Sequence, residues 1–487
     1  MLDEIRKHKS SLILLSVFSL IYVFPIILTG SYYIDDMVRS VKGNGWEQDG
    51  RFLPTYLMKA ISPGLDVVDP YPFGQILSAV IVSFSGYLIS YKSTGNKGTS
   101  SVLSAFILTS SPFFLENLSY RYDSFMMGLS VLFICIPFLF YTNKFAFALS
   151  TSVFVAAAFQ TYQATSISYF SVLAIFVTKD VLDMRNKDTL LLPIIAMICF
   201  CVGYYSSGLI VKYMNVDFYG RNELIFGSSD ISLILHSKSE SVKAVLGSVF
   251  TESSLKFYIP LFALSSLSII ALIYRQCKYS VMQGAYTLFI ILACLVVCFI
   301  AFPGANLVLK ETWWTARTFV GFGFFLLYLS IIMSFAWRFD IIQNISRALV
   351  IILSFVTCAA YSNALNDQNK LTTSVMSLAN IETSKYENSD IIIDGVGPRS
   401  RKAVIIERNI PIMKFLVPNY LKNEWVWGIN YAKSFDMIGV NSWIVGNLRN
   451  KYISEKCSFE VVQDNKFYTL RKRGKIFIMD FNKTHCN

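Results

Sequence analysis

Charged residues are scarce in this chain of 487 residues. Aspartate, glutamate, lysine and arginine together make up 15% of it, whereas hydrophobic residues make up 54%. A soluble globular domain carries about 25% charged residues and buries its core with far less apolar content. The excess of apolar residues therefore requires an apolar environment other than a protein core. Apolar runs of about 17 to 25 residues, the length of a bilayer-spanning helix, recur along the chain and predict a polytopic α-helical membrane protein.

Histidine is scarcer still, and its three residues leave little for a histidine-based catalytic triad. The cysteines show none of the Cys/His spacings of a zinc site. Seven of the nine cysteines lie in or beside apolar runs, where cysteine serves as a small apolar side chain. The other two, Cys457 and Cys486, lie in the polar C-terminal segment. They are a candidate disulfide if that segment faces an oxidising compartment.

Motifs of nucleic-acid-binding proteins are also missing, although the net charge is +11. The basic residues form short clusters between apolar runs, as in loops that flank membrane helices. We therefore expect no nucleic-acid partner. The first apolar run follows Arg6, Lys7 and Lys9 but ends without an A-x-A-like cleavage site. We interpret it as a retained membrane helix rather than a signal peptide.

The apolar runs predict about eleven transmembrane helices. The pair at 145–178 is divided by the polar stretch "QTYQAT" and forms either two spans or a re-entrant pair. Lysine and arginine recur in alternate short loops, which predicts a cytoplasmic N-terminus and, with an odd number of spans, an extracytoplasmic C-terminus. The predicted spans lie roughly at 11–29, 73–91, 101–117, 122–141, 145–162, 164–178, 190–211, 257–274, 282–302, 317–336 and 346–362.

The sequence predicts two domains. Residues 1–362 form a transmembrane domain with long outer loops at 31–71 and 213–256, and residues 363–487 form an extracytoplasmic domain. The second domain is polar and mixed in composition, and about 125 residues are enough for a small core. Its β-branched and aromatic runs "DIIID", "KAVIIE", "SFEVVQ" and "KFYTLRKRGKIFIMD" predict strands of an α+β fold.

Aromatic residues cluster in the C-terminal stretch "NEWVWGINY". Trp425, Trp427 and Tyr431 either stack on sugar rings of a polysaccharide or form the core of the small domain.

Two adjacent carboxylates, Asp35 and Asp36, directly follow the first apolar run. They are either a polar helix cap at the membrane surface or a catalytic acid or base held at the membrane–water boundary. Arg39 lies four residues after Asp35, so a helical segment would bring the two side chains together. The turn cluster "GNGWEQDGR" adds Glu47 and Arg51, and the amphipathic stretch "RFLPTYLMKAI" after it suits the membrane surface.

Two short outer turns carry further charges. The turn "ENLSYRYDS" contains Glu116, Arg121 and Asp123 at the edge of the membrane, where charges are costly unless they face water or one another. A helix cap explains Asp123, because the next apolar run begins there, but it does not explain the other two. In the turn "LKETWWTARTF" the tryptophans fit an aromatic belt. Arg317 in the same turn offers a guanidinium that can hold a phosphate.

Carboxylates and guanidiniums thus recur at the outer face. Glycosyl transfer from a lipid phosphate requires this combination, because a carboxylate deprotonates the attacking hydroxyl and cations stabilise the departing phosphate. Spacing alone does not show that the three groups converge.

The order of these motifs resembles that of the serotype-converting O-antigen glucosyltransferases of temperate phages and their lysogens. The motifs that carry the resemblance are "IDD" with its following arginine, then "GW…GR", then "ENLSYRYDS". The resemblance implies a membrane-embedded fold of the GT-C type in the bacterial inner membrane. It also implies transfer of glucose from undecaprenyl-phosphate-glucose to a sugar of the O-antigen repeat, with inversion at the anomeric carbon. A flippase and a donor synthase are implied as partners.

The resemblance also implies residue roles. GT-C enzymes usually place the general base just after the first span, which here corresponds to Asp35 or Asp36. The pair in "IDDM" is not the spaced D-x-D of nucleotide-sugar enzymes, and a monophosphate leaving group needs less charge compensation, so we expect neither a metal nor another cofactor. The remaining candidates are the arginines of a donor-phosphate site, Arg39, Arg51, Arg121 and Arg317, and the acids of an acceptor site, Glu47, Glu116 and Asp123.

Three other classes of protein share some of these features. A transporter or flippase of a lipid-linked sugar would place polar residues near mid-membrane, often within an internal repeat, and the sequence shows no repeat. Another GT-C enzyme of polysaccharide assembly is not separated by the sequence, because sugar identity depends on hydroxyl contacts. A structural scaffold leaves the acid–arginine clusters unexplained.

Overall fold

A computed structural model describes residues 2–62, 64, 66–216, 223–226, 230–337, 340–386, 389–436 and 444–486. Parts of the predicted outer loops, at 63, 65, 217–222 and 227–229, lie outside the described residues. The chain divides into two compact units. The membrane unit comprises Met1–Ile27 and Gly45–Ala359, and the tail unit comprises Leu28–Asn44 and Ala360–Asn487.

Helices account for most of the described chain. The helices of the first half are α1 (Leu2–Thr29), α2 (Asp36–Lys42), α3 (Phe52–Ile61), α4 (Phe73–Thr94), α5 (Thr99–Thr109), α6 (Phe114–Ser119), α7 (Ser124–Cys135), α8 (Lys144–Thr161), α9 (Gln163–Ser166), α10 (Tyr169–Leu182) and α11 (Asn186–Tyr213). Those that follow are α12 (Ile231–Val249), α13 (Glu252–Cys277), α14 (Val281–Ala301), α15 (Gly321–Ala336) and α16 (Asp340–Thr383). The remaining α-helices and strands are β1 (Asp390–Asp394), α17 (Arg401–Asn409), α18 (Met413–Leu416), α19 (Trp427–Ser434), α20 (Gly446–Ser454), β2 (Glu460–Asp464), β3 (Thr469–Arg473) and β4 (Ile476–Asp480).

Eight helical segments of the described chain are long and apolar enough, by length and composition, to cross a membrane. They are Lys7–Thr29, Phe73–Thr94, Lys144–Thr161, Gln163–Leu182, Asn186–Tyr213, Glu252–Cys277, Val281–Ala301 and Asp340–Thr383. Shorter apolar segments are Thr99–Thr109, Ser124–Phe140 and Gly321–Ala336. A mainly helical chain with several helices of membrane-spanning length and a small C-terminal sheet is therefore confirmed, whereas the count of eleven spans stays a prediction.

The third predicted span, 101–117, is not one helix. Helix α5 ends at Thr109 and the next helix begins at Phe114. Pro112 lies between them. Its ring removes a backbone donor and disfavours the helical conformation of the residue before it, which favours a break in the helix at this point.

Small side chains let the membrane helices approach closely. Helix α4 packs against α5, and a Cβ built on Gly86 would lie 2.8 Å from the carbonyl oxygen of Ala105. The Ser83 hydroxyl on α4 lies 2.8 Å from that of Ser19 on α1 and 2.7 Å from that of Thr109 on α5. In a lipid bilayer, which is as apolar as the side chains themselves, helices associate through close packing of small residues and hydrogen bonds between hydroxyl groups.

The tail unit contains a four-stranded sheet in its described part. Its strand order is β1-β4-β3-β2, with β1 parallel to β4 and the other pairs antiparallel. The strand predicted at "KAVIIE" is wrong, because these residues lie in α17. The Ser400 side chain accepts the backbone N–H of Ala403 at 3.1 Å and so caps a helix despite the β-branched run that follows. The predicted boundary between residues 362 and 363 falls inside α16.

A disulfide joins Cys457 to Cys486 in the tail unit, with a Sγ–Sγ distance of 2.00 Å. The aromatic residues of "NEWVWGINY" differ in environment. Tyr431 is buried, its hydroxyl lies 2.7 Å from the Thr373 hydroxyl, and it is therefore a core residue. Trp425 and Trp427 are only half-buried.

Candidate active site

The two adjacent acids have different surroundings in the tail unit. Asp36 begins α2 and is 0% exposed, and one of its carboxylate oxygens accepts the backbone N–H of Tyr33 at 3.0 Å. Asp35 is half-buried, and although it occupies the N-cap position its side chain makes no capping hydrogen bond. A helix cap therefore does not explain Asp35, whereas Asp36 supports the chain that leads into the helix.

Helix α2 is held within the tail unit by aromatic residues. It packs against α19, and the Tyr33 hydroxyl just before it donates to the carbonyl oxygen of Leu416 at 2.8 Å. Burial is the main cause that raises the pKa of Tyr420 well above its usual range, and the negative charge of Asp36 acts in the same direction. Arg39, on the same short helix, is buried as well. The acid pair is thus part of a packed arrangement that includes residues nearly 400 positions later, as the separation of 383 between Tyr33 and Leu416 shows.

In the membrane unit, Asp123 is bound by a tryptophan and an arginine. Its Oδ1 accepts the indole Nε1–H of Trp46 at 2.5 Å and lies 3.7 Å from Nη1 of Arg51. The second terminal nitrogen of Arg51, Nη2, donates to Oδ2 of Asp49 at 2.8 Å. Asp123 does stand at the N-cap of α7, as predicted, but its side chain makes no capping hydrogen bond there. The carboxylate instead fixes the indole and lies close to Arg51.

The backbone of Arg317 is held from both sides. Its N–H donates to Oε2 of Glu116 at 2.7 Å, and its carbonyl oxygen accepts the hydroxyl of Tyr162 at 3.0 Å. Nη1 of the guanidinium donates to the hydroxyl of Tyr120. Glu116 and Tyr120 are buried, whereas Arg317 is half-buried. The arrangement fixes a partly accessible guanidinium on a short 3-10 helix.

Tyr162 connects the two clusters of the membrane unit. Its hydroxyl donates to the carbonyl oxygen of Arg317, and the charges of Arg317, Glu116, Arg51 and Asp123 all act electrostatically on it. Because such effects fall off with distance, both clusters lie near this buried tyrosine.

The two remaining candidates, Arg121 and Glu47, lie outside these two clusters. Nη2 of Arg121 is 2.5 Å from Oδ2 of Asp69, and the guanidinium lies over the ring of Tyr71, 4.2 Å from its centroid. Glu47 is half-buried in a short 3-10 helix and forms no ion pair among the described residues. In the same part of the chain, no group of three or more histidine, cysteine, aspartate or glutamate residues has a geometry that could hold a metal ion.

The sequence reasoning missed three residues of these clusters. Trp46, Tyr120 and Tyr162 were not predicted as site residues, yet each donates to, or accepts from, a predicted charged residue. Trp46 and Tyr120 stand inside the motifs that carry the resemblance, and Tyr162 lies in the polar break "QTYQAT" between two apolar runs. A polar side chain that interrupts an apolar run is the signal that could have identified Tyr162.

Comparison with known proteins identifies a family for most of the chain. The model of the glucosyl transferase GtrII family matches residues 24–328, which is more than half of the chain. A protein of Salmonella phage P22, described as an uncharacterized 55.3 kDa protein in the gtrB 5′ region, is 25% identical over 440 residues. That alignment covers 85% of this chain and 88% of the phage protein. No solved structure matches the chain.

The family match includes α2 and every charged candidate of the membrane unit, from Glu47 to Arg317. It confirms the resemblance to the serotype-converting glucosyltransferases that the first motifs suggested. The chain belongs to the glucosyl transferase GtrII family.

Proposed function

We propose that this protein transfers glucose from undecaprenyl-phosphate-glucose to a sugar of the O-antigen repeat and so changes the serotype of the lipopolysaccharide. Family membership supports glucosyl transfer, and the long apolar helices suit a donor whose carrier is a lipid. The observation that carries the proposal is Asp35. It is a half-buried carboxylate directly after the first membrane-length helix, it is not used as a helix cap, and it lies inside the family match.

Asp35 is the proposed general base. It removes the proton from the acceptor hydroxyl, whose oxygen attacks C1 of glucose from the face opposite the phosphate. The C1–O bond to the phosphate breaks, undecaprenyl phosphate leaves, and a β-linked donor becomes an α-linked product. Asp36 is fully buried and binds the Tyr33 N–H, which supports a role in holding α2 rather than in proton transfer.

Arginine side chains of the membrane unit are the proposed phosphate ligands. Arg51, Arg121 and Arg317 are each partly exposed and can present guanidinium N–H groups to phosphate oxygens. The burial of Arg39 favours a role within the tail unit. Glu47, half-buried and without an ion pair in the described chain, is the acid that we assign to acceptor hydroxyls. Carboxylate and guanidinium groups suffice for this reaction, so the proposal includes no metal.

We assign the protein a GT-C fold with about eleven spans in the bacterial inner membrane. The N-terminus lies in the cytoplasm, and residues 363–487 lie in the periplasm as a separate domain. The disulfide between Cys457 and Cys486 supports this orientation, because disulfides persist in the periplasm and are rare in the cytosol. A donor synthase and a flippase would supply the glucosylated lipid on that side.

Proteoliposomes that contain the purified full-length protein test the proposal. They contain undecaprenyl-phosphate-glucose whose glucose is labelled, and isolated O-antigen is added on the side of the tail unit. We expect the label to move from lipid to polysaccharide. A parallel sample with undecaprenyl-diphosphate-linked glucose distinguishes a different enzyme of polysaccharide assembly, because our proposal predicts much slower transfer from that donor.

The same assay distinguishes a transporter of the glucosylated lipid from the proposed enzyme. If the labelled lipid changes leaflet without any transfer of glucose to polysaccharide, the enzyme proposal is wrong and the protein is a flippase. If glucose reaches only an unrelated polysaccharide, the reaction class stands and the acceptor assignment fails.

A further inference from the structure

Arg317 stands on a segment that has little regular structure of its own. It belongs to a 3-10 helix of three residues, Ala316–Thr318, between the end of α14 at Ala301 and the start of α15 at Gly321. A guanidinium on such a segment binds a phosphate well only if neighbouring groups hold it in one orientation. The holding groups are therefore part of the function that we propose for Arg317.

Glu116 supplies one of these contacts. It lies on α6, whose six residues are all buried, and its own exposure is 1%. One carboxylate oxygen accepts the backbone N–H of Arg317 at 2.7 Å, the short distance of a charge-assisted hydrogen bond. The contact joins residues 201 positions apart in the chain.

Other contacts hold the rest of the same segment. The Tyr162 hydroxyl donates to the carbonyl oxygen of Arg317, so that both backbone groups of this residue are fixed. The side-chain amide of Asn306 donates to the Thr318 hydroxyl at 2.8 Å. Lys238, buried on α12, donates in turn to the carbonyl oxygen of Asn306 at 2.8 Å and so ties the start of the segment to a helix.

We propose that Glu116 is a positioning residue for Arg317 and takes no part in proton transfer. The inference rests on the proposed function, because it names what orients the arginine that binds the donor phosphate. Its carboxylate serves as a hydrogen-bond acceptor for a backbone N–H, and Tyr162 completes the hold from the other side. Glu116 is thereby removed from the acids that contact the acceptor sugar.

An amide oxygen can accept the same N–H, which makes glutamine the decisive replacement. Transfer kinetics are measured on full-length protein in proteoliposomes for wild type, Glu116→Gln, Glu116→Ala and Tyr162→Phe, with donor and acceptor varied separately. We expect Glu116→Gln to keep kcat/KM within about tenfold and to keep the pH profile. We expect Glu116→Ala to lower kcat/KM at least about thirtyfold, with KM for the donor rising more than KM for the acceptor, because guanidinium binding of phosphate depends on orientation.

Glu311→Ala is the matched control, because Glu311 is an exposed acid of the same segment. We expect it to leave both KM values unchanged. Tyr162→Phe removes the hydrogen bond to the carbonyl oxygen of Arg317 without introducing a cavity. It gives a result even if the alanine variant fails to fold. It should raise KM for the donor by several-fold.

Two results would overturn the inference, and they are distinguishable. If wild type transfers glucose but Glu116→Gln loses as much activity as Glu116→Ala, Glu116 acts through its charge or its proton, and only the positioning role is wrong. If wild type transfers no glucose, the proposed function fails and the inference fails with it.

Discussion

Two sets of charged side chains, one in each unit of this protein, differ in how accessible they are. In the tail unit, Lys456 lies 2.6 Å from Asp394 and 3.4 Å from Asp480, where β1 and β4 end, and all three side chains are largely buried. In the membrane unit, Arg51 and Arg317 contact carboxylates or aromatic hydroxyls and stay partly exposed. A buried and fully paired network holds a fold, whereas a fixed but accessible guanidinium can bind an anionic ligand.

The same contrast separates the two acids after the first helix. Asp36 is buried, like the charged network at the end of the sheet, and accepts a hydrogen bond from the backbone N–H of Tyr33. Asp35 is half-buried, so part of its surface stays accessible. Two adjacent aspartates thus differ in burial, and on that difference we propose different roles for them. The comparison leads to predictions in which changes to accessible charges affect catalysis, and changes to enclosed groups affect stability or the position of an accessible charge.

The largest expected effect is on catalysis and comes from Arg317→Ala. Loss of one preorganised charge at a developing anion costs about a hundredfold to a thousandfold in rate. We expect kcat/KM for glucose transfer to fall by that amount, and Arg317→Lys to restore little of it, because an ammonium lacks the planar fork of a guanidinium. Unchanged kcat/KM in Arg317→Ala would contradict the assignment of phosphate binding to this residue.

Loss of the disulfide should affect the tail unit alone. The cross-link joins two positions 29 residues apart, and removal of such a link costs about 3.5 kcal/mol. We expect a double Cys457→Ser and Cys486→Ser variant to unfold its tail at lower denaturant concentration, measured by proteolysis of the tail. Cys201→Ser is the control, since this cysteine is free and exposed in the membrane unit. Equal sensitivity of the two variants would count against the separation of the units.

A smaller effect is expected from Trp46→Phe. The change keeps an aromatic ring but removes the donor to Asp123, and a hydrogen bond to a charged group contributes about 2 kcal/mol. We expect a lower melting temperature and weaker donor binding, because Asp123 also lies beside Arg51. Trp313→Phe is the control at an exposed tryptophan. Equal melting temperatures for Trp46→Phe and wild type would show that the indole N–H is not needed.

The smallest effect is expected from Tyr33→Phe. It removes one neutral hydrogen bond, to the carbonyl oxygen of Leu416, which contributes about 1 kcal/mol. Hydrogen exchange of the α2 amides should become faster by about fivefold while the membrane helices stay unchanged. Tyr56→Phe, at an exposed tyrosine of α3, should change neither. No change in the exchange of α2 would mean that this bond does not hold the helix.

The sequence predicted the apolar helices well, because bilayer thickness sets their length and composition. Each predicted apolar run contains helix, and the errors arose from local signals that apolarity does not report. Pro112 divides the third run, and the Ser400 cap turns a β-branched run into α17. Both signals are readable in the sequence and were outweighed by the composition of their neighbours.

The site was less predictable than the fold. The charged residues were found because charges at the edge of a membrane are costly and rare. Their partners were not, since contacts such as Trp46 to Asp123 join positions 77 residues apart, and periodicity carries no information about them. The sequence also did not separate Asp35 from Asp36, because burial is a property of the folded tail unit.

The most direct test of the account compares Asp35→Asn with Asp36→Asn in glucose transfer at matched protein levels. An asparagine oxygen can still accept the Tyr33 N–H in the second variant, so we expect Asp36→Asn to keep activity within about tenfold. Asp35→Asn should lose at least about a hundredfold in kcat, as removal of a general base does, while it binds undecaprenyl-phosphate-glucose as wild type does. Full activity in Asp35→Asn, or a larger loss in Asp36→Asn, would contradict the assignment of Asp35 as the base.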